Sequence, residues 1–161
     1  MASSAVVNAS PLIFMANGQC FDLLRIAANT IVMPAAVANE IQRRGPEDLT
    51  FRAVRRATWL VAVDDPPVPS LIQSWDLGPG ESAVLAWAHA NPGTEAIVDD
   101  LAARRCAATL GIPVRGTLGL VLLAKRRGII AQARPVLEKM VHSGMYLSDR
   151  LLKEVLAIVG E

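Results

Sequence analysis

The stretch "AIVDDLAARRCAATLGIPV" (residues 96–114) decides the fold, because it passes from a strand through a helix into a second strand. The short apolar runs 96–98 and 112–114 are typical of strands that are covered on both faces. The helical segment 101–110 between them ends at Gly111, a residue that favours the left-handed turn after a helix. Two strands joined by a helix in this way predict a parallel sheet.

The same alternation continues outward in both directions. It predicts an α/β fold, namely a three-layer α/β/α domain that spans residues 1–161, with a central, mostly parallel sheet and a helical C-terminal end. The Pro-rich segment "DDPPVPS" (64–70) is interpreted as a surface loop. Strands are expected at 5–7, 30–33, 60–63, 96–98 and 112–114, and helices at 11–27 (broken at Asn17-Gly18), 35–43, 47–57, 80–90, 101–110, 117–127, 131–142 and 149–159.

Composition limits the class of protein. The 161 residues are 52% hydrophobic and 19% charged, with a formal net charge of +1, which favours one buried core and argues against disorder or a strongly basic tail. The chain begins without the pattern of a signal peptide and contains no apolar run long enough to span a bilayer. Cys20 and Cys106 match no zinc spacing. These features predict a soluble cytoplasmic protein with free thiols and no membrane partner.

Polar side chains follow the predicted strands at their carboxyl ends, where parallel sheets bind ligands. The pair Asp99-Asp100 follows the fourth strand, and Glu81 begins an apolar helix. The full set of candidate positions comprises Asn8, Ser10, Glu40, Glu81, Asp99 and Asp100.

The adjacent carboxylates of Asp99 and Asp100 need an explanation, because like charges at a strand end repel each other. Capping of the following helix explains Asp100 alone. A divalent cation held by oxygen ligands explains both residues, and such ions hydrolyse phosphodiesters by activating water. The chain has no GxGxxG, Walker A or GxSxG motif, and its two histidines fall in helices away from the acids.

The motifs "VVNASPLI", "PAAVANEI", "LGPGESAVLAWA" and "AIVDDLAARRCAATLGIPVRGTLGLVLLAKRRGII" resemble those of the PIN-domain-like nucleases. More narrowly, they resemble a branch related to the VapC-type toxins. The resemblance implies that the protein cleaves RNA with the help of Mg²⁺ or Mn²⁺. It implies that Glu40, Glu81 and Asp100 hold this ion, and that Asp99 assists Asp100 or replaces it. It also implies that Ser10 supports phosphate or metal, and it makes a homodimer and an antitoxin partner the expected associations.

One position departs from the family pattern. Asn8 stands where PIN nucleases usually carry the first Asp, and an amide oxygen brings no negative charge to a cation. Two hypotheses follow: a metal-dependent ribonuclease with a weakened ligand, or a PIN-fold module that binds nucleic acid or regulates a partner without cutting. In either case Arg104 and Arg105, one turn beyond Asp100, are predicted to contact phosphate.

Overall fold

A computed structural model describes residues 2–161, and its centre is a sheet of five parallel strands in the order β3-β2-β1-β4-β5. The first strand of the chain is therefore the middle strand of the sheet. The strands are β1 (Ala2–Val7), β2 (Ala28–Pro34), β3 (Leu60–Val63), β4 (Thr94–Ile97) and β5 (Val114–Arg115).

Helices flank the sheet and complete the predicted three-layer α/β/α architecture. Helix α5 packs against α2, α4 and α6, while α1, α7 and α8 form another packed group with a 3-10 segment, Phe21–Ile26. The helices are α1 (Ala9–Asn17), α2 (Ala35–Gln42), α3 (Leu49–Arg56), α4 (Ser70–Gln73), α5 (Pro79–Ala90), α6 (Leu101–Thr109), α7 (Thr117–Arg126), α8 (Arg134–His142) and α9 (Asp149–Ile158).

The core explains why β1 and its neighbour β4 end in apolar residues without alternation. Ala5, Val6 and Val7 are fully buried, as are Ala96 and Ile97 on the neighbouring strand, because helices cover both faces of the sheet. The three Trp side chains are half-buried and pack against this core.

All five predicted strands are present, although their ends differ. β1 and β2 begin earlier than predicted, and the last strand is 114–115 where 112–114 was expected. Ile112 is buried next to β5 but does not pair with β4. The predicted strand therefore began too early, because it was based on apolar character alone. Pro34 ends β2 and directly precedes α2.

The helical boundaries follow the predicted signals closely. Gly111 has a positive φ of 69°, and the Ser148 hydroxyl accepts a hydrogen bond from the backbone N–H of Leu151 at the start of α9. The four-residue helix α4 was not predicted, because a single turn gives no periodic pattern. Among residues 2–161, no helix is both long and apolar enough to cross a membrane.

Candidate active site

The candidate site lies at the carboxyl end of the sheet, where β1 and β4 run side by side. The backbone N–H of Asn8 continues the ladder by donating to the carbonyl of Ile97 at 3.0 Å. Because Val7 pairs with Ile97, the chain places Asn8 beside Val98, one residue before Asp99. Register alone therefore brings together residues that are about ninety positions apart in the sequence.

Asn8, Glu40 and Glu81 form an oxygen cluster around Gly80. The Asn8 Nδ2 atom donates a hydrogen bond to Oε1 of Glu81 at 3.1 Å. A Cβ atom added at Gly80 would lie 2.9 Å from Oδ1 of Asn8 and 3.5 Å from Oε2 of Glu40. The absence of a side chain at position 80 thus lets α5 approach the end of β1 and the Glu40 side chain of α2.

The amide oxygen of Asn8 is the atom in this cluster that calls for a ligand. Asn8 is only 2% exposed, and its Oδ1 is buried without a hydrogen-bond partner. A buried polar atom left unpaired costs about 1–3 kcal/mol. The nearby Oε2 of Glu40 is itself an acceptor and cannot satisfy it. A cation or a hydrogen-bond donor between these oxygens removes the penalty.

The chemistry of the cluster fits a hard divalent cation. Its groups are two carboxylates and one amide oxygen, which are the ligands that Mg²⁺ and Mn²⁺ prefer. Within residues 2–161, no three His, Cys, Asp or Glu side chains lie close enough together to hold a metal ion. The cluster contributes two such side chains, Glu40 and Glu81, and its third oxygen belongs to the amide of Asn8.

Asp99 is held by the start of helix α7. Its Oδ1 accepts the backbone N–H of Thr117 at 2.7 Å, and its Oδ2 accepts the Thr117 hydroxyl at 2.7 Å. Thr117 is fully buried, so both bonds are shielded from water. These bonds explain how a carboxylate is accommodated directly after a buried strand, and they orient Asp99 rigidly.

Asp100 has the capping role that the sequence suggested. Its Oδ2 accepts the backbone N–H of Ala103 at 2.8 Å, which places it at the N-terminus of α6. The residue is exposed, and no hydrogen bond within residues 2–161 reaches its other carboxylate oxygen, Oδ1.

A cavity of about 810 Å³ connects several predicted residues. Ser10, Glu81, Asp99, Asp100 and Arg104 line it. Glu81 therefore belongs both to the oxygen cluster and to the cavity. Asn8 and Glu40 do not line the cavity. Of the two adjacent arginines, Arg104 lines it, whereas Arg105 is exposed outside it.

Three residues that position these groups were not predicted. Thr117 orients Asp99, and Gly80 admits Asn8 and Glu40. A Cβ atom at Gly116 would lie 2.6 Å from Nη1 of Arg104 and 3.1 Å from Oδ1 of Asp99, so this glycine leaves room for both. In the sequence, the signal for these two roles was a glycine at the start of a helix, Gly80 in α5 and Gly116 before α7. Such a glycine usually indicates only a turn.

Thiol and imidazole groups lie apart from the cavity. Burial raises the pKa of the Cys20 thiol to about 11, although the nearby Lys139 charge opposes that shift. Burial also raises the pKa of Cys106. Both thiols are therefore protonated at neutral pH and are poor nucleophiles. His89 and His142 lie in the last turns of α5 and α8, as predicted.

Comparison with known proteins adds one match. The model of the family DUF3368, described as a PIN domain, matches residues 4–161. No curated protein matches the chain.

Proposed function

Because the chain belongs to the PIN-domain family, whose members are of nuclease type, we propose that it is a divalent-metal-dependent ribonuclease. The observation that carries the proposal is the unpaired Oδ1 of Asn8, which is buried beside the carboxylates of Glu40 and Glu81. PIN domains generally use divalent metal ions. An ion is the ligand that satisfies all three oxygens at once.

Glu40, Glu81 and the amide oxygen of Asn8 would hold the ion, with Asp99 and Asp100 on the side of the cavity. When bound, Mg²⁺ or Mn²⁺ supplies an activated water molecule and stabilises the charge that develops on the scissile phosphate. The Nδ2 atom of Asn8 fixes the Glu81 carboxylate through its hydrogen bond. Thr117 fixes Asp99 in the same way.

The remaining polar groups of the cavity suit the phosphate backbone. The Arg104 guanidinium donates from Nη1 to the Val98 carbonyl at a long 3.4 Å, and arginine carries five N–H donors. Arg104 and the Ser10 hydroxyl can therefore donate to a phosphate that lies in the cavity. Arg105 faces solvent and would contribute only to longer-range attraction.

The proposal is tested by incubating the purified chain with mixed single-stranded RNA and Mn²⁺. Glu81→Gln and Glu40→Gln keep the side-chain shape and remove one charge each, so we expect at least a tenfold loss of cleavage for either, equivalent to about 1.4 kcal/mol. Glu47→Gln is the matched control, because the Glu47 side chain is 91% exposed, pairs with Arg52 and belongs neither to the oxygen cluster nor to the cavity lining. Cleavage that survives both site substitutions would disprove the assignment.

A second candidate function is a PIN-fold module that binds nucleic acid, or regulates a partner, without cutting it. The hydrogen bond between Asn8 and Glu81 favours this candidate. An amide at position 8 carries no negative charge to attract an ion. It also does not repel the Glu81 carboxylate, so no ion is needed to relieve a repulsion. Retained RNA binding without cleavage in Mn²⁺ supports this candidate.

The narrowest form of the proposal is a toxin of a toxin-antitoxin pair that works as a homodimer in the cytoplasm. It rests on the resemblance to the VapC-type branch. A gene for a small DNA-binding antitoxin directly beside the gene for this chain, and a stable complex of the two products, would support it. Growth that is unaffected by expression of the active chain would count against it.

A further inference from the structure

The cavity beside the acids has two chemically different halves. The polar groups described above lie at the carboxyl end of the sheet, while apolar side chains from further along α1 and α7, from the segment that leads into α9 and from α9 itself line another part of the wall. These residues are Phe14, Leu118, Leu122, Met145, Tyr146 and Leu151.

Part of the exposed apolar surface lies at this cavity. Three of the eight large apolar side chains that are exposed in residues 2–161, Leu101, Tyr146 and Leu151, line it. Exposed apolar side chains that share one cavity mark a binding site more often than isolated ones do.

Tyr146 differs from every other aromatic residue of the chain. Its side chain is 93% exposed, whereas each of the three Phe and three Trp side chains is at least partly buried. The core does not use the Tyr146 ring, so the ring is available to a ligand that lies in the cavity.

A nucleotide matches this division between a charged end and an apolar end. Its base has flat faces that stack on aromatic side chains, and its anionic phosphate can pair with Arg104 and with an ion held beside the carboxylates. The cavity volume of about 810 Å³ lies within the range of small-ligand sites, roughly 300–1,000 Å³, and so leaves room for a base together with its sugar.

We propose that the apolar half of the cavity binds an unpaired base of single-stranded RNA, which stacks on the ring of Tyr146. The inference rests on the proposed function, because the phosphate attached to that base then lies at the Asp99-Asp100-Arg104 end. A base held in this way selects single-stranded RNA over duplex, where the bases are stacked on one another.

The test measures binding separately from cleavage. Dissociation constants are measured with Mn²⁺ present, at a temperature and contact time at which the RNA stays intact, for a labelled single-stranded RNA and for an abasic strand of equal length. The wild type is expected to prefer the strand that carries bases. Tyr146→Ala should weaken binding of that strand by roughly fivefold or more, since stacking on one aromatic side chain is worth about 1–3 kcal/mol, and should leave the abasic strand unaffected.

Two matched variants control for other effects. Tyr146→Phe keeps the ring and should bind as the wild type does. Leu71→Ala removes another exposed apolar side chain, 64% exposed on α4 and outside the cavity, and should also have no effect. Because Tyr146 is so exposed, loss of its ring should not unfold the chain.

The outcomes separate this inference from the proposed function. RNA that is bound with a base preference dependent on Tyr146, yet is not cut in Mn²⁺, supports the subsite and overturns the hydrolysis. RNA that is cut equally by the wild type and Tyr146→Ala, with no base preference, supports hydrolysis and overturns the subsite. Absence of RNA binding also overturns it, and a partner protein whose binding depends on Tyr146 would then be the occupant.

Discussion

Asn8 places a neutral amide at the most buried point of the oxygen cluster. Its Nδ2 atom satisfies Glu81, while its Oδ1 atom remains without a partner. A carboxylate there would be repelled by Glu40 and Glu81 unless a cation neutralised the three charges. The amide thus makes the cluster tolerable without an ion and reduces the attraction for one.

Asn8→Asp tests this balance. We expect the variant to have a lower melting temperature than the wild type in EDTA, because a third carboxylate is then introduced at a buried position beside those of Glu40 and Glu81. Added Mn²⁺ should raise its melting temperature more than that of the wild type, and the ion concentration for half-maximal RNA cleavage should fall about tenfold, equivalent to about 1.4 kcal/mol.

Asn8→Ala is the control for the loss of the amide itself, since it removes the hydrogen bond to Glu81 without adding charge. An equal response of the wild type and Asn8→Asp to Mn²⁺ would contradict an ion site at this cluster.

Thr117 shows what the sequence could not reveal at the level of single residues. The pair Asp99-Asp100 was recognisable as unusual because two charges follow an apolar strand. That Thr117 binds both oxygens of Asp99 follows from the position of β5 beside β4, which places residues eighteen positions apart in contact. Local patterns carry no information on such a pairing.

At the scale of the elements, Asp100 both caps α6 and lines the cavity. These two roles have different chemical requirements. A cap needs a side-chain acceptor, which an amide oxygen also provides, whereas a cation ligand of this kind benefits from the charge.

The two roles can be separated by substitution. Asp100→Asn should keep the free energy of unfolding within a few tenths of a kcal/mol and lower RNA cleavage, while Asp100→Ala should lower both, with a loss of about 1 kcal/mol in stability. Urea unfolding and cleavage rates measure the two effects. Full activity of Asp100→Asn would show that the residue serves only as a cap.

Element types were predictable from the sequence to a large extent. Apolar runs and helix signals such as Ser148 are local, so the five parallel strands and most helices followed from them. The strand ends were less predictable, because pairing with a neighbour decides them: Ile112 is apolar and buried, yet β5 begins at Val114. The contact of Glu40 with the Gly80 region depends on how α2 and α5 pack, and no local pattern specifies that.

At the scale of the whole molecule, two carboxylates stabilise the fold by accepting hydrogen bonds at helix starts. Burial alone would raise the pKa of Asp48, but hydrogen bonds from the Arg44 side chain and the backbone N–H groups of Phe51 and Thr50 hold it below its ordinary value of 3.8. The backbone N–H groups of Ala133 and Arg134, with nearby Lys125, lower the pKa of Glu161 from 4.5.

These lowered pKa values predict how stability depends on pH. The unfolded chain binds protons more readily at both groups, so their contribution is fully present above about pH 4.5 and is lost as the pH falls through the lower folded-state values. Asp48→Asn keeps a capping oxygen without the charge, and Glu161→Gln does the same at α8.

Urea unfolding from about pH 7 down to about pH 3 measures this effect. Near pH 7 we expect each variant to have a lower free energy of unfolding than the wild type. Near pH 3 we expect the two free energies to become similar. A difference in unfolding free energy that does not change with pH would contradict the ionic origin of the contribution.

The position of β1 at the centre of the sheet also affects when the protein becomes complete during its synthesis. Strand β1 can pair on both edges only after β4 has been made. In addition, Asn8 forms its hydrogen bond with Glu81, and Asp99 forms its hydrogen bonds with Thr117. A ribosome has therefore joined at least 117 of the 161 residues before the acidic groups can take their final places. If the chain cuts RNA, it therefore cannot begin to do so until Thr117 has been made and has reached Asp99.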